Sequence, residues 1–357
     1  MKLPPLISVP LSWLYGMVVH IRHKLFDLKI LRSEEFDIPV VCIGNLTVGG
    51  TGKTPVAELL IERFSEHYRV GVLSRGYRRK TKGFVLSTPT SSARTIGDEP
   101  RQMKLKYPSV PVAVCEKRAE GIRLLRKAHP EIELIILDDA FQHRYVEPWV
   151  NILLMDYNNP VYRDRLLPWG RLRDTRNQIH RANFVLVTKC PDDLNPLDIR
   201  IVINSLGLFP YQSLYFTRMR QGEITPLFAD RAVGKVREGD PVIAMSGIAN
   251  PVPLLENLRK RFDVVAELTF DDHHTYRLSD MRRLEALFAA YPDAVVLTTE
   301  KDAVKLTNRK KVPEAVQQRL YYVPIHVSFV ADSESEFLRQ LELYVRTNQK
   351  YSLLHPE

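Results

Sequence analysis

The sequence predicts an α/β fold, a doubly wound and mostly parallel sheet accompanied by a second, smaller α/β domain. Apolar runs of strand length recur along the chain, and segments with apolar residues three and four apart stand between many of them. The polar clusters best suited to chemistry follow directly after the runs, on the sheet edge where α/β proteins build their sites. With 357 residues and 45% hydrophobic content there is material for two cores. The three cysteines are scattered with no CxxC pair, which argues against a disulfide framework or a zinc site and for a reducing compartment. A net charge of +9 suits an anionic partner without choosing among nucleotide, phosphorylated substrate, nucleic acid and acidic lipid.

The first element is an apolar stretch, Leu3 to Val19, followed at once by His20-Ile-Arg-His-Lys24. Its seventeen residues would reach only about 25 Å as a helix, short of a bilayer core of roughly 30 Å, and Pro4, Pro5 and Pro10 shorten the helical part further. With only Lys2 as a basic start and no clear small-residue cleavage site, it is a poor secretory signal. Two readings stay open: a helix on the surface of an anionic bilayer, with Trp13 and Tyr15 at the interface, or a helix packed on the core.

Strands are expected at 40–43, 69–73, 110–114, 134–137, 152–155, 184–187, 242–245, 264–268, 294–297 and 322–327. Helices are expected at 55–67, 118–128, 253–261 and 279–290, and a last amphipathic pattern at 333–345 suits either domain. The Pro- and Arg-containing stretch around 147–174 interrupts the alternation and marks the expected junction. The expected division is an N-terminal helix at 1–32, a first domain at 33–148 completed by a helix at 333–350, and a second domain at 149–330 closing over a cleft.

Directly after the first run stands Gly44-Asn-Leu-Thr-Val-Gly-Gly-Thr-Gly-Lys-Thr54, a glycine-rich turn between strand and helix. It reads as a phosphate cradle, the P-loop of NTP-binding proteins. The backbone N–H groups of Thr47, Val48, Gly49, Gly50, Thr51 and Gly52 can close around phosphate oxygens, Lys53 can reach the terminal phosphates, and the Thr54 hydroxyl can hold Mg²⁺. The pattern departs from the usual G-x-x-x-x-G-K-[ST], with Thr47 where glycine is expected. The run 134–137 ends in Asp138-Asp139, where a carboxylate can hold the Mg²⁺ shared with β- and γ-phosphates. Ser74-Arg75-Gly76-Tyr77 also follows a strand, and Arg75 can clamp a phosphate. Taken alone, Gly97-Asp98-Glu99-Pro100 reads as a loop. Asp271-Asp272-His273-His274 can bind a metal, act as acid and base, or cap a helix.

These blocks, together with Leu137-Asp-Asp-Ala-Phe-Gln-His-Arg144, Leu166-Leu-Pro-Trp-Gly-Arg-Leu-Arg173 and Thr299-Glu-Lys-Asp302, resemble the tetraacyldisaccharide 4'-kinase family over nearly the whole chain. The resemblance implies transfer of phosphate from ATP to the 4'-hydroxyl of a tetraacylated glucosamine disaccharide 1-phosphate, giving lipid IVA for lipid A and lipopolysaccharide. It implies two α/β domains joined by a β-hairpin linker, with ATP and Mg²⁺ as nucleotide and ion. Carried over by residue, it gives Lys53 and the loop amides to the transferring phosphoryl group and Thr54 and Asp138 to Mg²⁺. Asp98 and His273 become a dyad that takes or orients the acceptor proton, with Asp139 counted among the catalytic residues that shape the site. Asn45, Arg75, Tyr77, Gln142, His143 and Arg173 shape the acceptor site. Ala140, Arg171, Asp174 and Trp169 depart from the family pattern, and the shorter Asp174 casts doubt on that position's reach to the metal. A peripheral location at the cytoplasmic face of the bacterial inner membrane follows from the acylated acceptor, and no obligate protein partner is evident.

One rival is a P-loop GTPase or ATPase acting as a regulatory switch. Thr188-Lys189-Cys190-Pro191 starts like the guanine signature [NT]-K-x-D but lacks its aspartate. Nucleic-acid binding is suggested by charge alone, and no recognised motif supports it.

Overall fold

The computed structural model describes residues 4–347. Two sheets account for the fold. The first has nine strands in the order β14-β8-β7-β6-β1-β5-β2-β4-β3. Its members are β1 (Val40–Asn45), β2 (Val70–Ser74), β3 (Val85–Leu86), β4 (Val112–Val114), β5 (Leu134–Leu137), β6 (Val150–Asp156), β7 (Phe184–Thr188), β8 (Ser213–Gln221) and β14 (Ile325–Phe329). All its ladders are parallel except those of the edge strands β3 and β14. The second sheet orders β11-β10-β12-β13-β9, from β9 (Thr225–Pro226), β10 (Pro241–Ser246), β11 (Asp263–Thr269), β12 (Val295–Thr299) and β13 (Leu320–Val323).

The central strands β1, β2, β5 and β7 are buried along their whole length, which explains their continuous apolar runs: helices cover both faces of a parallel sheet. On one face, helix Lys53–Ser65 lays Val56, Leu60 and Phe64 on the strands beside Phe337, Leu341 and Val345 of the last helix, Glu334–Thr347. The latter three recur every four residues and so form one stripe. Phe337 meets Phe184 and Tyr215 edge-on. The last three positions of the helix expected at 333–350, and the first three of the expected 1–32 segment, lie outside the described residues.

The division of the chain differs from the expectation of a break at 148/149. β6 pairs in parallel with β1, Val41 opposite Val150, and β7 and β8 extend the same sheet. The chain crosses to the second sheet only after Gln221 and returns at Ile325. The irregular stretch after β6 is a crossover within the first sheet, with short 3-10 turns where a full helix would stand. The run expected as one strand at 322–327 is two strands in two sheets. Pro324, which has no N–H to give a ladder, separates β13 from β14. Asp98 is not in a loop: it opens the helix Asp98–Lys106 after Gly97, whose φ of 95° favours glycine.

The N-terminal helix, Pro5–Asp27, turns its small and polar side inward and its apolar side out. Ser8, Ser12, His23 and Phe26 are buried, while Leu6, Trp13, Leu14, Met17, Val18 and Ile21 are exposed, Trp13 by 76%. Among the described residues no helix is long and apolar enough to cross a membrane.

Candidate active site

The phosphate loop hangs from β1 and ends in helix Lys53–Ser65. Gly52, its last residue, has φ 84°, a left-handed conformation that favours glycine, and a Cβ there would displace the terminal methyl of Met219. Around Gly49 and Gly50 a Cβ would meet nothing within 4 Å, which leaves the loop's mouth open. Asn45 organises the interior: its amide donates to Thr51 Oγ1 at 2.9 Å and to Thr47 Oγ1 at 3.4 Å, and its Oδ1 accepts from Lys53 Nζ at 3.4 Å and from Arg173. Thr47 and Val48 serve the loop's anchorage. Thr47 pairs with Leu172 in an isolated bridge, and the Val48 N–H donates to the Arg171 carbonyl at 2.8 Å. The Val48 amide, expected in the cradle, is thereby occupied.

Asp138 and Asp139 end β5 beside this loop, in contrasting states. Asp138 is buried, with Oδ2 accepting from Ser74 Oγ at 2.9 Å and Oδ1 left without a partner. Burial, Asp139 and Glu99 push its carboxyl up to about 6. Burial acts on Asp139 in the same direction but is overcome by the Lys53 charge and the Arg173 hydrogen bond, which hold that carboxyl well below the usual range. Lys53 Nζ lies 3.6 Å from Asp139 Oδ1, and Arg173 pairs with both carboxylate oxygens. Asp139 has φ 49°, a conformation aspartate tolerates better than most residues.

The second sheet brings its own residues to the start of helix Asp98–Lys106. His273 Nδ1 and Asp98 Oδ2 stand 2.9 Å apart although 175 positions separate them in sequence. Lys301 Nζ lies 3.4 Å from His273 Nε2 and 3.3 Å from Asp272. An ammonium can only donate, so Nε2 is an acceptor and Nδ1–H donates to Asp98. Burial would raise the Asp98 carboxyl, but the His273 hydrogen bond and Lys305, 3.8 Å away, outweigh it and lower it. His273 has φ 63° and its N–H donates to the Gly247 carbonyl after β10. Tyr77 lies against it with ring centroids 5.9 Å apart.

A family model described as Tetraacyldisaccharide-1-P 4'-kinase matches residues 5–344. A tetraacyldisaccharide 4'-kinase of Phocaeicola vulgatus is 45% identical over 350 residues, covering 96% of each chain. That of Flavobacterium johnsoniae is 39% identical over 343 residues, covering 96% of this chain and 97% of the relative. The crystal structure of LpxK from Aquifex aeolicus in complex with ATP superposes with a TM-score of 0.73 at 27% identity, over 94% of this chain and 98% of that one.

The chain belongs to the tetraacyldisaccharide 4'-kinase family. It is a kinase, and the nucleotide of the family's ATP-bound structure suits the loop described above. Thr188 and Lys189, the start of the would-be guanine signature, instead hold loop carbonyls: Thr188 Oγ1 donates to Thr51 O at 2.8 Å and Lys189 Nζ to Gly50 O at 2.5 Å.

Of the residues expected to shape the site, Gln142 donates to the Asn45 carbonyl at 2.8 Å, and Arg75 and Tyr77 are exposed. The His143 imidazole is pushed down to about 4 by burial and by Arg118, Arg75 and Arg22. Asp174 meets the N-terminal helix, its Oδ1 2.6 Å from His23 Nε2. Sequence reasoning missed Arg118. This fully buried guanidinium donates to the carbonyls of Cys115 and Asp138, tying α/β turns together under the acid pair. It opens a helix at an ordinary amphipathic position, and nothing in its spacing signals that role. It missed Lys301 as well, for which the Thr299-Glu-Lys-Asp302 block was the available signal, and Lys305, which stands three residues beyond that block.

Mg²⁺ fits the donor set. The orphaned Asp138 Oδ1 and the Thr54 hydroxyl at the helix start are oxygen donors of the kind a hard cation takes. Among the described residues no three His, Cys, Asp or Glu side chains gather to hold a metal.

Proposed function

We propose that the enzyme transfers the γ-phosphate of ATP to the 4'-hydroxyl of a tetraacyldisaccharide 1-phosphate, forming lipid IVA, at the cytoplasmic face of the inner membrane. The observation that carries the reading is the meeting of Asp98 and His273 across the two sheets, next to Glu99, whose charge acts on Asp138 beside the phosphate loop. Phosphoryl transfer needs a group that takes or orients the proton of the attacking oxygen, and the family to which the chain belongs makes that oxygen a sugar hydroxyl.

In this reading the loop amides and Lys53 hold the β- and γ-phosphates, and Arg173 adds charge where the transferring group becomes most anionic. Thr54 and Asp138 would hold Mg²⁺, which when bound would offset negative charge on the β- and γ-phosphates. Asp98 holds the His273 ring by its Nδ1–H, and the pair takes up the hydroxyl proton as the acceptor oxygen bonds to the γ-phosphorus and the bond to ADP breaks. Closure of the second domain excludes water, which would otherwise compete with the sugar hydroxyl. The outward apolar face of the N-terminal helix, with Arg22 and Lys24 near its end, suits the surface of an anionic bilayer, where the acylated acceptor resides.

The test follows labelled γ-phosphate from ATP with Mg²⁺ into a detergent-solubilised tetraacyl disaccharide 1-phosphate. Transfer that is lost in Lys53→Ala is the expected result. ATP hydrolysis without transfer to lipid would overturn the assignment.

A further inference from the structure

We propose that His23 and Asp174 form a buried joint through which the N-terminal helix sets the position of Arg173 at the phosphate loop, making both of them positioning residues. The helix is then part of the phosphate site and more than an anchor. The inference rests on the kinase reading for its transfer assay only.

The helix grips two loops that meet at the active site. On one side, Ser12 Oγ donates to the Leu166 carbonyl at 2.9 Å, Tyr15 OH donates to the Arg173 carbonyl at 2.8 Å, and His23 meets Asp174. Gly16 allows the approach, since a Cβ there would lie 2.9 Å from Leu166 Cδ1. On the other side, Arg22 donates to the Gln142 carbonyl at 2.8 Å, and Arg144 donates to His23 Nδ1 at 3.0 Å and to Asp27 at 2.8 Å. The two loops converge where Arg173 pairs with Asp139.

The proton arrangement within the joint follows from chemistry. A guanidinium has no lone pair to offer, so His23 Nδ1 accepts from Arg144 and its Nε2–H donates to Asp174 Oδ1. His23 is 3% exposed and Asp174 1%. Asp174 Oδ2 has no partner, and Oδ1 also accepts from the Thr175 N–H at 2.8 Å. A carboxylate so buried depends on its remaining donors, and without His23 it would have to turn toward water. That movement would carry Arg173, the adjacent residue, whose N–H donates to the Leu46 carbonyl and whose side chain holds Asn45 and Asp139.

The experiment uses the full chain with His23→Ala, the conservative His23→Gln, which keeps an N–H donor, and Asp174→Asn. It measures ATP affinity with a fluorescent ATP analogue, transfer kinetics in mixed micelles, and co-sedimentation with anionic vesicles. His23→Ala is expected to weaken ATP binding several-fold and lower kcat about tenfold, with acceptor KM and vesicle binding little changed and with His23→Gln restoring most of the loss. In the Arg173→Lys background the same substitution should have little further effect on either quantity, because the arginine it positions is gone. Wild-type ATP affinity in His23→Ala, or an equal loss with and without Arg173, would overturn the joint. If His23→Ala does not fold, the same cycle run with Asp174→Asn decides it by the same outcomes. Absence of acceptor phosphorylation in the wild type would remove the functional reading alone, since ATP affinity still reports on the joint.

Discussion

At the residue scale, the site works by placing fixed charges where burial makes them strong. Lys53 balances Asp139, and in the proposed mechanism it also serves the phosphates, so Lys53→Ala should lower kcat by about 10²–10³-fold, with the fold retained by circular dichroism; a variant at wild-type rate would remove Lys53 from the mechanism. His143 offers a different check. Its pKa falls from 6.5 to about 4 on folding because burial and three arginines disfavour the imidazolium. Between those values the unfolded chain binds the proton and the folded chain does not, so stability is undiminished above pH 6.5 and falls as pH drops toward 4. The penalty is on the order of 3 kcal/mol. Thermal midpoints of His143→Gln against pH should decline less steeply through that window than those of the wild type. Parallel curves would show that acid lability comes from other groups.

At the element scale, the N-terminal helix is built inside out relative to a core helix. Its burial is by Ser8, Ser12, His23 and Phe26, and its exposed face carries leucine, tryptophan and methionine. Replacing Trp13 and Met17 with glutamate should therefore leave stability within about 0.5 kcal/mol, as surface changes do, while vesicle co-sedimentation falls sharply. A large drop in thermal midpoint would mean that this face is covered by protein. The charge-free run was legible in the sequence. Its orientation was not, because seven of the contacts that hold the inward face come from loops more than a hundred residues away.

At the scale of the whole molecule, two sheets must meet for the dyad to exist. A second polar contact helps to hold them: Lys106 Nζ lies 2.6 Å from Glu58 of the first sheet's layer and 3.5 Å from Glu300 after β12. Burial, and for Glu58 the neighbouring Glu300, raises both carboxyls. Lys106→Met would leave Glu58 buried with Gln102 as its remaining side-chain partner, at a cost on the order of 3 kcal/mol. Urea unfolding should show that loss, with much of it recovered in the double variant carrying Glu58→Gln. No recovery would assign the loss to packing of the lysine stem.

The local sequence determined the central strands, the glycine loop and the acid pair, because each depends on neighbours in the chain: apolar runs, positive-φ glycines and a strand end. It also carried Asp98 and His273, through a resemblance of motifs. Tertiary structure alone decided that β6, β7 and β8 belong to the first sheet, that Pro324 divides a run between two sheets, and that Asp174 faces His23. The physical reason is common to all three. Strand order and buried polar pairing are settled by partners distant in sequence, and an apolar run or a lone aspartate carries no record of which partner it will meet.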